Sequence, residues 1–336
     1  MATAEVTVYG AGVFGLSVAW SCLQRGARVT VIDPYGVGAG ASGGVVGALA
    51  PHTPEQWNDV KAFQLQSLSI AEAYWAEVTA HGERPTGYAR LGRIQPLPDQ
   101  AAVDRARLRA GSAHALWQDR FLWQVTDAGA LGDFLPESAT GLYVRDTLSA
   151  RINPRWTLLA LAKAITAKGG EIVFEGKPRG RIVHCTGYDG LVEDTLGGGV
   201  KGQAAVLDYD AGEAAQVYAG SVHIVPHANG TVAIGSTSER EFEEETATDG
   251  QLDDVIAQAV AVMPQLAKAK VVERWAGVRP RSKSRQVIMG AHPARPGEFI
   301  ANGGFKTGFG MAPKVGETMA ALLVQDKDEI PQALRA

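Results

Sequence analysis

Three glycines in Val8-Tyr9-Gly10-Ala11-Gly12-Val13-Phe14-Gly15 carry the clearest chemical signal in this chain, a cradle for an anion built from main chain alone. Gly10 permits a tight turn out of a strand, Gly12 lets the backbone approach a pyrophosphate, and Gly15 lets the following helix pack closely. The unpaired N–H groups and positive dipole end of that helix then face the phosphates. Asp33 ends the next apolar run, where its carboxylate can accept from a ribose 2′-hydroxyl, with Pro34 following. Gly10, Gly12, Val13, Phe14, Gly15, Asp33 and Pro34 therefore read as a dinucleotide site, unphosphorylated at the 2′ position.

Other reactive arrangements do not hold together. Gly40-Ala41-Ser42-Gly43-Gly44 spells a nucleophile-elbow pattern, but it lies in a glycine run without the strand before it or the helix after it that an elbow requires. His223 and His227 invite a metal reading, yet Pro226 forbids helical spacing, and on a strand they stand about 13 Å apart at ~3.3 Å per residue. No metal is expected. Cys22 and Cys185 lack any CxxC spacing and read as reduced, buried thiols of a cytoplasmic protein.

The elements that must position these groups form a βαβ unit at the amino end: a strand over 5–9, a helix over 13–24 and a strand over 27–32. Gly36 to Gly47 is too rich in glycine for a helix or strand interior, and it suits backbone bending around a bulky ligand. Helices are expected over 54–78, 101–114, 249–263 and 313–324. Asn153-Pro154 supplies the N-cap and N1 of another that stops at Gly169-Gly170. Strands are expected at 88–97, 171–174 and 181–185, and short alternating runs at 205–207, 217–218, 222–225 and 231–234 read as an antiparallel sheet. The acidic stretch Glu239 to Glu245 reads as a solvated loop.

At 336 residues the chain is long enough for two lobes. Net charge is −4 and the isoelectric point about 6.0, so no basic surface points to nucleic acid. The first residues lack a basic leader, and no stretch approaches the ~18 apolar residues of a membrane span.

Five ordered matches give the chain a family likeness. They are Val8 to Trp20 with Asp33; Gly40-Ala41-Ser42-Gly43 leading to Ala50-Pro51; Cys185-Thr186-Gly187; Trp275-Ala276-Gly277-Val278-Arg279-Pro280; and Gly303-Gly304-Phe305-Lys306-Thr307-Gly308 leading to Ala312-Pro313. With these the chain resembles the superfamily of D-amino acid oxidase, glycine oxidase and sarcosine oxidase. The resemblance implies an α/β fold with a discontinuous Rossmann-type FAD-binding domain (1–80, 141–200 and 276–336) and an α+β substrate domain on a mostly antiparallel sheet (81–140 and 201–275). It implies non-covalent FAD, with Ala41, Ser42, Gly43, Gly47, Thr186, Gly187, Gly303, Gly304, Phe305, Lys306, Thr307 and Gly308 joining the amino-terminal cradle.

The implied reaction oxidises the C–N bond of an amino acid or secondary amine bearing a carboxylate, by hydride transfer to the flavin, with oxygen or another acceptor taking the electrons. Arg279 matches an arginine that pairs with the substrate carboxylate, a task suited to its rigid fork. Lys306 resembles a lysine holding the same group, and His223 falls at the pocket wall. Taken alone, Arg279 before a proline reads as a surface cation or a carboxylate partner, Lys306 as solvated, and His223 as a strand histidine. An NAD-dependent dehydrogenase would share the first fingerprint but leaves the carboxyl-terminal glycine cluster unused; a non-catalytic nucleotide-binding subunit is the third reading. Two departures stand out: only Glu-Gly-Lys-Pro-Arg-Gly lies between Phe174 and Arg181, where relatives insert an adenine-side meander, and Arg281-Ser-Lys-Ser-Arg285 adds three cations after Arg279. Quaternary state, an oligomer included, is left open.

Overall fold

A computed structural model describes residues 4–336. In chain order the amino-terminal elements are β1 (Glu5–Tyr9), α1 (Val13–Gln24), β2 (Arg28–Ile32), β3 (Ala48–Leu49), α2 (Asp59–Gly82), β4 (Arg93–Pro96), α3 (Gln100–Leu116), β5 (Trp123–Asp127) and β6 (Leu142–Asp146). There follow β7 (Ala150–Arg151), α4 (Pro154–Ala167), β8 (Glu171–Val173), β9 (Arg181–His184), α5 (Gly187–Glu193), β10 (Gly197–Asp208), β11 (Gln216–Ala219), β12 (Val222–His227) and β13 (Thr231–Gly235). The chain closes with α6 (Gly250–Val262), β14 (Lys270–Ser282), β15 (Ile288–Ala291), β16 (Phe299–Asn302) and α7 (Gly308–Gln325).

Two large sheets and a two-stranded β3–β7 pair organise the strands. The first runs β15-β16-β9-β1-β2-β8 and is parallel except for the β15–β16 hairpin. Strand β1 sits between β2 and β9, so the chain winds away from it in both directions and leaves a crevice at its carboxyl end, where ligands bind in open parallel sheets. Helix α1 is buried along nearly its whole length because β2, α4 and α7 cover it on all sides. The second sheet runs β14-β10-β13-β12-β11-β4-β6-β5, antiparallel except for β4–β11. Strand β6 and the ends of β10 and β14 carry this sheet into segments 141–200 and 276–336. Among the described residues, no helix is long and apolar enough to cross a membrane.

Local signals set several boundaries. Asn153 Oδ1 accepts from Trp156 N at 3.1 Å, capping α4 just ahead of Pro154. Helix α2 starts at Asp59 rather than near Pro54, because Asn58 Oδ1 takes the Lys61 N–H at 3.1 Å and fixes the first turn there. Helix α7 begins at Gly308, five residues ahead of the proline that was expected to open it. Pro313 lies inside, lacking an N–H, and the next amide, Lys314 N, turns to Ser67 Oγ of α2 at 3.2 Å.

Candidate active site

The turn from β1 into α1 is held too tightly for any side chain at two of its glycines. Gly10 sits at φ +103°, and a Cβ there would lie 2.3 Å from the Cys185 carbonyl oxygen at the end of β9; a Cβ on Gly15 would lie 1.9 Å from Gly10 O. Gly12 N-caps α1 without a side-chain cap of its own, and a Cβ there would meet only Ser42 Oγ, at 3.2 Å. Ser42 Oγ accepts from Val13 N at 3.0 Å, which places the Ala41–Gly43 turn over the helix start. Asp33 braces the same turn, its Oδ2 accepting from Ala11 N at 2.7 Å and its Oδ1 from Tyr35 N at 2.9 Å. Pro34 is exposed beside a groove floored by Ile172 to Glu175, with Phe174 largely in solvent.

The carboxyl-terminal glycines come to this crevice. A Cβ on Gly304 would lie 3.0 Å from Phe14 Cζ, and one on Gly308 would lie 3.7 Å from Val13 Cγ1. Helix α7 therefore starts against α1, and its N-cap Thr307 makes no side-chain cap bond either. Two helices thus present side by side amino ends that lack an N-cap side chain of their own, with Val13 N of α1 held by Ser42. Asn302, buried at the end of β16, ties the two turns together: its Nδ2 donates to Gly187 O at 2.9 Å and its Oδ1 accepts from Gly303 N at 2.7 Å. Thr186 N-caps α5 alongside. Gly47 is placed otherwise, since a Cβ there would lie 1.8 Å from Ile152 O; it serves the junction with β7.

Arg279 does not lie in a turn. It sits within β14, opposite Val200 of β10, and is 9% exposed. Its side chain passes over Gly202, where a Cβ would fall 1.4 Å from Nη2. Nη2 donates to Ser236 Oγ at 2.7 Å and to Thr237 O at 2.9 Å, whereas Nη1 is buried with no protein partner. Burial pulls the guanidinium down to about 10, and the Glu239 charge offsets part of that, so it stays cationic at neutral pH. Glu239 is not solvated as the acidic stretch suggested: Gln203 Nε2 donates to it at 3.1 Å, Thr237 Oγ1 donates to it as well, and Lys201 Nζ lies 3.8 Å away, while Glu241 and Glu243 to Glu245 are exposed.

Lys306 reaches the same region from the tail turn, its Nζ 5.7 Å from the Phe305 ring centre, with Arg279 Cζ at 6.0 Å from that ring. Burial, Arg279 and Arg281 lower its pKa. His223 lies on β12 opposite Gly235 and Tyr218 and feels the Lys306 charge. His227, further along β12, turns its Nε2 to Val45 O at 3.0 Å. Among the described residues no three His, Cys, Asp or Glu side chains are grouped to hold a metal ion, and both cysteines are buried.

A family model described as DAO, FAD dependent oxidoreductase, matches residues 5–322. The chain belongs to this family of FAD-dependent oxidoreductases. A glycine oxidase of Pseudomonas putida is 26% identical over 342 residues, covering 92% of this chain and 91% of the relative. Among solved structures, a glycine oxidase from Geobacillus kaustophilus superposes with TM-score 0.83 at 20% identity, covering 97% of this chain and 96% of the other. An iminodiacetate oxidase from Chelativorans sp. BNC1 gives 0.82 at 21% identity, covering 98% of both.

The crevice of this FAD-dependent oxidoreductase suits its cofactor: two helix starts without N-cap side chains of their own offer N–H donors to anionic and electron-rich groups, and a Cβ at Gly12 would meet no backbone. Sequence reading missed the residues that aim Arg279, namely Gly202, Ser236 and Thr237, and it missed Asn302. It also missed Arg155, whose Nε donates to Gly43 O at 2.9 Å while its fork pairs with Glu273 of β14. None belongs to a local pattern; only the asparagine next to the tail glycines offered a hint.

His223 gives the fold a pH dependence. Burial, then the Arg93 and Lys306 charges, pull its pKa down to about 3, so the folded protein keeps the ring neutral while the unfolded chain titrates near the ordinary histidine value of 6.5. Between those values the unfolded state binds the extra proton, so stability falls as pH falls through that window. Thermal unfolding of His223→Asn is expected to lose less Tm than the parent between about pH 7 and pH 5, by roughly 2 °C or more. An identical decline in both proteins counts against the neutral buried ring.

Proposed function

We propose that this FAD-dependent oxidoreductase oxidises the C–N bond of an amine bearing a carboxylate, an amino acid or an N-substituted glycine. The observation that carries the reading is Arg279 Nη1, a buried cationic donor without a protein partner, beside Lys306 and next to the crevice where the tail glycines meet α1. A charged donor so placed calls for an anion, and a carboxylate matches the guanidinium fork. The similarity to named glycine oxidases supports the same chemistry.

In this reading the six-stranded sheet and its helices hold FAD non-covalently through Gly10 to Gly15, Asp33, Ala41 to Gly43, Thr186-Gly187 and Gly303 to Gly308. The eight-stranded sheet forms the substrate wall. Bound FAD supplies a two-electron acceptor for hydride. Arg279, with Lys306 beside it, fixes the carboxylate and so sets which C–H bond is presented, the positioning that converts binding into rate. The surrounding cations also lower the pKa of the bound amine, favouring the neutral form whose lone pair becomes the second bond of the imine as hydride leaves carbon. Water then adds to the imine, giving an oxo acid and ammonia or a primary amine. His223, kept neutral, adds polarity to the wall without a competing charge. The start of α7, without an N-cap side chain of its own, offers its N–H groups and dipole to negative charge in the crevice. The electrons would pass on to oxygen or another acceptor.

Anaerobic mixing of the FAD-loaded protein with glycine, sarcosine, L-proline, D-amino acids and iminodiacetate tests this reading. Bleaching of the oxidised flavin's visible absorbance by at least one amine is expected. A flavin that stays oxidised with every amine overturns it.

A further inference from the structure

Three cationic side chains lie around one phenyl ring, that of Phe305, beside the tail turn. Arg281 Cζ lies 5.5 Å from the centre of Phe305, Lys306 Nζ 5.7 Å and Arg279 Cζ 6.0 Å. Arg279 and Arg281 are two residues apart on β14, so both side chains leave the same face of the sheet. Among the described residues, none of the three has a carboxylate oxygen within the 4.0 Å of an ion pair. The two other buried cations nearby are matched: Lys201 lies 3.8 Å from Glu239, and Arg93 pairs with Asp146 at 2.9 Å. Lys201 and Arg93 thus have carboxylate partners, whereas the cluster has no ion pair of its own and feels the Glu239 charge only at Arg279, from beyond ion-pair distance.

One carboxylate on the orphaned Arg279 Nη1 balances one of these charges and leaves two facing the same space. From this juxtaposition we infer that the site takes a substrate with two carboxylates, the first on Arg279 and the second on Arg281, with Lys306 between them. The inference rests on the amine-oxidising reading for which carboxylate lies next to the reacting carbon. It adds a specificity determinant, Arg281, that the reading does not need. Iminodiacetate, a secondary amine with two carboxymethyl arms, has the required charge. Like-charge crowding among the three cations is relieved by the second anion, so that anion contributes affinity rather than only tolerance.

The test compares ligands that differ by one carboxylate. Acetate and malonate are titrated into the FAD-loaded protein and followed by calorimetry or by perturbation of the flavin spectrum, for the parent, Arg281→Gln and Lys306→Gln. In the parent, malonate is expected to bind at least about 10-fold more tightly than acetate, and Arg281→Gln to bring that ratio close to one. The ratio of kcat/KM for iminodiacetate over glycine is expected to fall in parallel. Equal affinities for acetate and malonate in the parent overturn the inference. So does an Arg281→Gln protein that loses FAD affinity while keeping the malonate preference, because Arg281 then serves the cofactor. The two readings fail separately: malonate reports on the second anion site even when no amine reduces the flavin, and reduction by glycine with no malonate preference leaves amine oxidation standing.

Discussion

Alanine at position 279 is expected to lower kcat/KM for carboxylate-bearing amines by about 10²–10³-fold, the ~3–4 kcal/mol of a desolvated, charge-assisted pair. The loss should appear in both KM and kcat, because a substrate free to pivot presents its C–H bond poorly even when bound. Flavin content is expected to persist, since Arg279 Nη2 is anchored to Ser236 and Thr237 of the second sheet and not to the glycine crevice. Arg279→Lys is expected to recover little, as an ammonium on one nitrogen lacks the planar fork that lets Nη2 hold those two oxygens while Nη1 meets the carboxylate. Gly202→Ala offers a check that leaves the arginine in place: its Cβ would fall 1.4 Å from Nη2, so the guanidinium must swing aside, and kcat/KM should drop by about 10-fold or more. Parent-like kinetics in Arg279→Ala would remove the assigned role. Loss of flavin together with a lowered Tm would instead make Arg279 a structural pin between β14 and the Ser236–Thr237 segment.

What could be read from the sequence, and what could not, follows from how far apart the cooperating residues lie. The β1–α1–β2 unit and the start of α4 were legible because each is fixed within a few residues: a turn of glycines, an N-cap with a proline behind it. Strand β14 was hidden. Its pairing with β10 runs from Gly197 opposite Ser282 to Asp208 opposite Lys270, and glycines on β10, with glycine, tryptophan, arginine and proline on β14, interrupt any alternation. The glycines that make β10 look like a loop are what the site requires, for Gly202 is the opening through which Arg279 passes. The start of α7 was hidden for a related reason. Gly308-Phe-Gly-Met-Ala-Pro has poor helix propensity, yet packing on α1 and α2 overrides it. Glu239 heads an acidic run that reads as solvated, but its backbone pairs with Lys201 in both directions, Lys201 N to Glu239 O at 2.9 Å and Glu239 N to Lys201 O at 3.0 Å. Long-range pairing, absent from any local window, buries that one carboxylate and leaves its neighbours in solvent.

Gly12→Val is expected to abolish stable FAD binding, raising Kd by at least about 100-fold, while leaving the fold intact. Gly12 has φ −81° and ψ −178°, which any L-residue adopts, and its Cβ would meet only the Ser42 side chain, Oγ at 3.2 Å and Cβ at 3.9 Å, so the strain falls on the Ser42–Val13 N hydrogen bond and not on backbone. The added methyls would crowd the start of α1, the approach a pyrophosphate needs. Gly15→Ala acts differently. Its Cβ would lie 1.9 Å from the Gly10 carbonyl oxygen, a backbone atom that cannot swing away, so Tm should fall along with FAD affinity. The pair separates cofactor contact from packing: near-parent circular dichroism and Tm with no bound flavin for Gly12→Val, against a destabilised protein for Gly15→Ala. Retention of parent FAD affinity in Gly12→Val would mean that the anion does not rest on this turn, and the dinucleotide site would have to be sought elsewhere along the crevice.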